Sequence, residues 1–186
     1  MDEWLAVVLP GRGYGPAGAT LRMPIIVLES LGARVCVIEY PLAVTGSVPF
    51  DEIMQSSREQ LESFVGSVLP RRITFVAKSL GSAVLSSLTK DQCGSAQVES
   101  IWLTPLFNEA WVRTGAIQLG WKSLLVAGDA DPYHDPQGYE EVRRALGAES
   151  LILRGANHSL EIPNAPESTV AALSDLVEAV RRFSSP

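Results

Sequence analysis

Apolar residues recur along this chain in two rhythms. Short runs with little polar interruption occur at Trp4 to Pro10 (WLAVVLP), Arg34 to Tyr40, Ile73 to Ala77, Val98 to Pro105, Ser123 to Gly128 and Ser150 to Arg154. Their length and β-branched content predict strands, and the weak alternation predicts burial on both faces of a parallel sheet. Between them lie segments with helical spacing. Ala17 to Leu31 is one, disturbed in its middle by Pro24 and stopped by Gly32, and Asp51 to Val68 is another, with the acidic first turn that a helix dipole favours. A small-residue segment after Ser79 extends towards Lys90 to Gly94, Pro136 to Leu146 carries paired charges, and Pro166 to Phe183 is amphipathic. Pro41 to Pro49 reads as a loop. Strands alternating with helices predict an α/β fold, a three-layer α/β/α sandwich around a doubly wound parallel sheet of about six strands.

Composition narrows the class. The 186 residues suffice for one domain, 1–186, with a two-sided core, and a hydrophobic fraction of 46% excludes a disordered chain. The formal charge is -6, and the basic residues are scattered as short pairs such as Arg71-Arg72 and Arg143-Arg144. A nucleic-acid partner needs a basic face, so none is expected. No apolar run reaches the roughly eighteen residues of a membrane span. The start, Met1-Asp2-Glu3-Trp4, is acidic where a secretory leader is basic, so a cytoplasmic protein without a membrane partner is expected. Cys36 and Cys93 form no C-x-x-C or Cys/His cluster and read as packing residues or free thiols.

Chemistry enters at Ile73 to Leu88, ITFVAKSLGSAVLSSL, where a strand must turn sharply into a helix at Lys78-Ser79-Leu80-Gly81. The pentapeptide Ala77 to Gly81 is one substitution from the G-x-S-x-G nucleophile elbow, which lifts a serine hydroxyl above the sheet. A serine at such a corner can also simply cap the helix. The first strand empties into Gly11-Arg12-Gly13-Tyr14-Gly15-Pro16, where a dinucleotide fingerprint would need a third glycine at the position of Pro16. In a doubly wound sheet ligands gather at the carboxyl ends of the strands. There, LLVAG runs into Asp129-Ala130-Asp131-Pro132, and LILRG runs into Ala156-Asn157-His158-Ser159. A hydroxyl becomes a strong nucleophile when an imidazole takes its proton and a carboxylate fixes that imidazole. Ser79, Asp131 and His158 supply these parts in the order Ser, Asp, His, with Asp129 and Asp135 as rivals for the carboxylate. His134 beside Asp131 and Asp135 offers a single imidazole, so no metal site is expected.

Together AKSLG, GDADPYHDP and GANHSLE, preceded by the Pro10-Gly11 loop, resemble the α/β-hydrolase superfamily, specifically its small lidless members, over nearly the whole chain. The resemblance implies that Ser79 is the nucleophile, Asp131 the acid of a G-x-x-D turn and His158 the base of a G-x-x-H-S turn. It places oxyanion donors on the backbone amides of Leu80 and Arg12, with Gly13 as the fallback. Ala77 stands in place of the elbow's first glycine, and Pro10 in place of a histidine that often precedes the loop glycine. The implied activity is hydrolysis of a small carboxylic ester or thioester through an acyl-enzyme, with no cofactor; a non-catalytic binding or regulatory module on the same fold is the alternative. Gly11, Gly13, Tyr14, Leu106 and Phe107 are the substrate-side candidates, with Trp102 divided between pocket and core. The short connection from Pro105 to Ser123 leaves no room for a lid, so short or medium acyl chains are expected.

Overall fold

The N-terminal apolar run forms β1 (Trp4–Leu9), buried throughout after a half-buried Trp4. The elements that follow are α1 (Ala19–Ser30), β2 (Arg34–Val37), α2 (Phe50–Val68), β3 (Arg72–Lys78), α3 (Leu80–Ser86), a 3-10 turn (Lys90–Cys93), β4 (Gln97–Leu103), α4 (Ala110–Leu119), β5 (Lys122–Gly128), α5 (Pro136–Leu146), β6 (Glu149–Leu153) and α6 (Pro166–Ser184). This computed structural model describes residues 3–41 and 48–185. Most of the loop expected over 41–49, and the acidic Met1-Asp2, lie outside the described residues.

The six strands form one parallel sheet in the order β2-β1-β3-β4-β5-β6. Strand periodicity divides the core between its two faces. Leu5, Val7 and Leu9 of β1 join Phe75, Trp102 and residues of α2, α3, α4 and α5 on one face, while Ala6 and Val8 join α1 and α6 on the other. The sheet is therefore the doubly wound, three-layer structure that the sequence predicts. Its strand order reverses between β1 and β3, so the loops leaving those two strands diverge and open a crevice at their carboxyl ends.

Several boundaries differ from expectation. β2 stops at Val37 instead of Tyr40: Ile38 N–H still donates to Val8 O (2.9 Å), but the backbone of Glu39 is taken up by the Gln60 carboxamide of α2 (2.9 and 2.7 Å). The helix after Ser79 ends at Ser86, well before Lys90. Ser86 and Ser87 hydroxyls donate back to the Ser82 and Ala83 carbonyls (2.7 and 3.0 Å), a contact that competes with helix propagation. Helix α1 begins at Ala19 and continues through a buried Pro24. Residues 104–121 hold only α4 and its short links, so nothing is inserted there above the sheet.

At the amino ends of the strands, opposite the crevice, Glu99 is buried at 3% exposure. It accepts from Arg72 (2.6 Å) and from Thr74 Oγ1 (2.7 Å), with Lys122 Nζ 3.9 Å away. Arg72 and Lys122 also donate to the Ser184 and Phe183 carbonyls, fastening the end of α6 to the sheet. Among the described residues, no helix is long and apolar enough to cross a membrane.

Candidate active site

Ser79 occupies the corner between β3 and α3 with φ 50° and ψ -112°, a region that costs a non-glycine residue about 1–3 kcal/mol. The corner is over-determined by its neighbours. Ser79 N–H donates to Leu103 O (3.1 Å), and Ser79 O accepts from the amide (2.8 Å) and hydroxyl (2.6 Å) of Ser82. The Ser82 hydroxyl in turn accepts from Leu106 N–H (3.0 Å), tying the elbow to the turn after β4. Helix α3 lies so close to β1 that a Cβ on Gly81 would stand 2.0 Å from Leu9 O. Ala77 is fully buried where the elbow motif has glycine.

The Ser79 side chain makes no capping bond to its helix. Instead its Oγ lies 2.8 Å from His158 Nε2, and His158 Nδ1 lies 2.7 Å from Asp131 Oδ2. Asp131 is 6% exposed, and its other oxygen accepts from Tyr133 N–H (2.8 Å). The rival aspartates have other partners: Asp129 accepts from Gly155 N–H, and Asp135 caps α5 through Gln137 N–H (3.0 Å). The loops after β5 and β6 approach closely because residue 128 is glycine; a Cβ there would stand 2.1 Å from Ala156 O. Asn157 Oδ1 accepts from Ser159 N–H (2.8 Å) and Glu161 N–H (3.1 Å), and Thr20 Oγ1 donates to Ser159 O, so the turn carrying His158 is fixed on both sides. The Tyr133 ring stands edge-on to the imidazole at 5.0 Å.

On the other side of Ser79, the loop after β1 folds on itself through a Gly11–Tyr14 bridge. Gly11 lies against the serine, since a Cβ built on it would be 3.5 Å from Ser79 Cβ. Arg12 and Gly13 are exposed, and among the described residues neither amide has an acceptor. Leu80 is the first residue of α3, and its N–H has no intrahelical acceptor. Tyr14 is half-buried, its hydroxyl bonded to Thr20 Oγ1 (3.0 Å). Leu106 is half-buried beside the elbow.

Two aromatic candidates for the pocket belong to the core. Phe107 and Trp102 are each 1% exposed and pack on each other at 5.7 Å, with Tyr139 6.4 Å from Phe107. The chain turns at Thr104, φ 43°, and Phe107 beyond it is buried, a placement that pattern alone does not reveal. His134 packs edge-on to Tyr139 at 5.3 Å, and among the described residues no cluster of His, Cys, Asp and Glu could hold a metal. Cys36 and Cys93 are buried free thiols.

Sequence patterning passed over Lys78, Ser82, Thr104 and Asn157. Lys78 is 1% exposed, its Nζ donating to His158 O (2.9 Å) and Thr104 Oγ1 (3.2 Å). Burial pushes its pKa down to about 8, with the Asp131 carboxylate opposing that shift. Its position directly after the apolar Phe75-Val76-Ala77 at the end of a central strand is the signal for it.

No known family model and no curated protein matches the sequence. Solved structures do. An alpha-beta serine hydrolase homologue from Coxiella burnetii superposes with TM-score 0.74 at 16% identity, over 100% of this chain and 86% of that one. Est1E from Butyrivibrio proteoclasticus, solved with ferulic acid bound, gives 0.76 at 11%, over 98% and 89%. XC6422 from Xanthomonas campestris, an α/β serine hydrolase without a lid, gives 0.68 at 18%, over 98% and 84%. With the six-stranded parallel sheet and the uninterrupted 104–121 connection, these similarities identify the architecture of the chain as the α/β-hydrolase fold in its lidless form.

Proposed function

We propose that the chain is a serine hydrolase that cleaves a small carboxylic ester or thioester through Ser79, His158 and Asp131. The supporting observation is that the Ser79 hydroxyl, free of any capping duty, lies 2.8 Å from a ring nitrogen whose opposite nitrogen lies 2.7 Å from a buried carboxylate. When Nδ1–H donates to Asp131, Nε2 is left as the acceptor for the serine proton. Ser79 Oγ bonds to the acyl carbon as its proton passes to Nε2, and Asp131 stabilises the imidazolium. The oxyanion faces the amides of Leu80 and Arg12, with Gly13 as the alternative donor, and the dipole of α3 adds to this field. Collapse breaks the bond to the alcohol or thiol, which leaves with the proton from His158. Water then loses a proton to Nε2 and attacks the acyl-enzyme; release of the acid returns the proton to Ser79. Neither metal nor cofactor enters these steps.

The test is labelling by a fluorophosphonate probe together with hydrolysis of p-nitrophenyl acetate. Wild-type protein should label at Ser79, and Ser79→Ala should fold normally, refuse the probe and lose at least about a thousandfold in rate. A folded Ser79→Ala protein that retains most of the activity would remove the nucleophile. Failure of the wild type both to label and to hydrolyse any ester would turn the assignment to a non-catalytic module.

A further inference from the structure

A lysine immediately before the serine has no part in these steps, yet it is one of the most deeply buried side chains of the molecule. An ammonium in such a place is costly, and hydrophobic side chains of similar length would fill the volume at lower cost. Among the described residues no carboxylate lies within ion-pairing distance of Lys78. Its partners come instead from the segments that surround Ser79. Nζ donates to His158 O, at 2.9 Å, in the loop after β6 and to Thr104 Oγ1, at 3.2 Å, in the turn after β4. It also sits 4.6 Å from the centre of the Tyr14 ring, in the loop after β1. An ammonium has three protons, and this site presents three electron-rich groups to them.

We propose that Lys78, as an ammonium, is a positioning residue for the hydrolysis: it ties the backbone of His158 to the loops after β1 and β4 and so keeps the imidazole in register with Ser79. This rests on the assignment of Ser79 and His158 as nucleophile and base. The bond to the His158 carbonyl is charge-assisted and stronger than a neutral one. Loss of a proton removes the charge and one donor, and turns a lone pair towards groups that are themselves acceptors. Around Nζ, the Asp131 carboxylate in the loop after β5 acts through its charge and the Tyr14 ring from the loop after β1 lies 4.6 Å away, while His158 and Thr104 meet it through a backbone carbonyl and a neutral hydroxyl. Because burial lowers the lysine pKa to about 8, the tie loosens as pH rises through that value. Nζ is enclosed, so the effect falls on turnover and not on substrate affinity.

The experiment measures kcat and KM for p-nitrophenyl acetate from about pH 6 to pH 10, with fluorophosphonate labelling, for wild type and Lys78→Met. Wild-type kcat should decline on the alkaline side with a midpoint near 8. Lys78→Met should still label at Ser79, lose roughly ten- to a hundredfold in kcat with little change in KM, as for misplacement of a catalytic group by up to about 1 Å, and show no such decline. Wild-type turnover in Lys78→Met, or an alkaline decline that survives the substitution, overturns the inference and leaves the nucleophile intact. Should Lys78→Met fail to fold, a wild-type kcat flat across the lysine's titration range overturns it. A wild type that neither labels nor hydrolyses strikes the assignment of Ser79 itself.

Discussion

Gly81→Ala is a one-methyl change whose effect can be worked out from the packing. The new Cβ would stand 2.0 Å from the carbonyl oxygen of Leu9, 2.7 Å from its carbon and 3.0 Å from its Cβ. Two of these contacts are backbone, in a strand paired on both sides with β2 and β3, so β1 cannot yield. Helix α3 must lift by about 1 Å, carrying Ser79 and the Leu80 amide with it. Overpacking of this kind costs typically 1–3 kcal/mol, and the better helix propensity of alanine returns about 1. With backbone as the obstacle, the upper end applies, giving a net loss of about 2 kcal/mol and a fall in Tm of about 4–8 °C for a chain of this size. On the proposed mechanism, displacing Ser79 from His158 should lower kcat by roughly a hundredfold. Gly66→Ala is the control: this glycine is exposed within α2 and a Cβ there meets no atom within 4 Å. It should gain about 0.5–1 kcal/mol and leave the rate unchanged. Thermal unfolding by circular dichroism and the p-nitrophenyl acetate rate read both variants. A Gly81→Ala protein as stable and as active as Gly66→Ala would refute the close seating of α3 on β1.

Three further outcomes follow from other contacts. Asp131→Asn should cut kcat by about 10⁴, whereas Asp129→Asn and Asp135→Asn, at the Gly155 turn and the α5 cap, should leave it near the wild-type value; equal small effects from all three would deprive His158 of its carboxylate. Glu99→Gln breaks the buried contact with Arg72 and should cost about 3 kcal/mol, measured by urea denaturation at neutral pH, without altering the rate of the folded protein; an unchanged midpoint would show the network to be ornamental. Across p-nitrophenyl esters, kcat/KM should level off at short or medium chains, because full burial, worth about 0.8 kcal/mol per CH₂, needs a roof that residues 104–121 do not build; a steady climb beyond about twelve carbons would reveal a covered acyl channel.

The parts of this structure visible in the sequence are those governed by short-range pattern. Uninterrupted runs such as WLAVVL can satisfy their side chains only inside a two-faced sheet, and that sheet fixes where Ser79, Asp131 and His158 emerge. What remained hidden depends on tertiary partners. Nothing local marks Phe107 as core; its packing against Trp102 and Tyr139 does so. The end of β2 is set by Gln60, twenty-one residues beyond Glu39, and the end of α3 by hydroxyls that could equally have faced water. Lys78 and Glu99 illustrate the limit most clearly. Charged residues are read as surface by default, and only assembled neighbours show that each is enclosed.

The strand order has a consequence for how the protein comes into being. After β1, β2 and β3 have met, each later strand in the chain adds to the same growing edge, β4 on β3, β5 on β4, β6 on β5. Assembly can therefore keep pace with synthesis along that edge. Ser79 is laid down with the third strand, Asp131 after the fifth, and His158, whose ring lies between them, after the sixth. A chain halted before β6 docks carries Ser79 without His158 beside it. On the proposed mechanism, hydrolysis is therefore silent until β6 has docked, so that turnover in a nascent or damaged population counts only molecules whose sheet has closed on that edge.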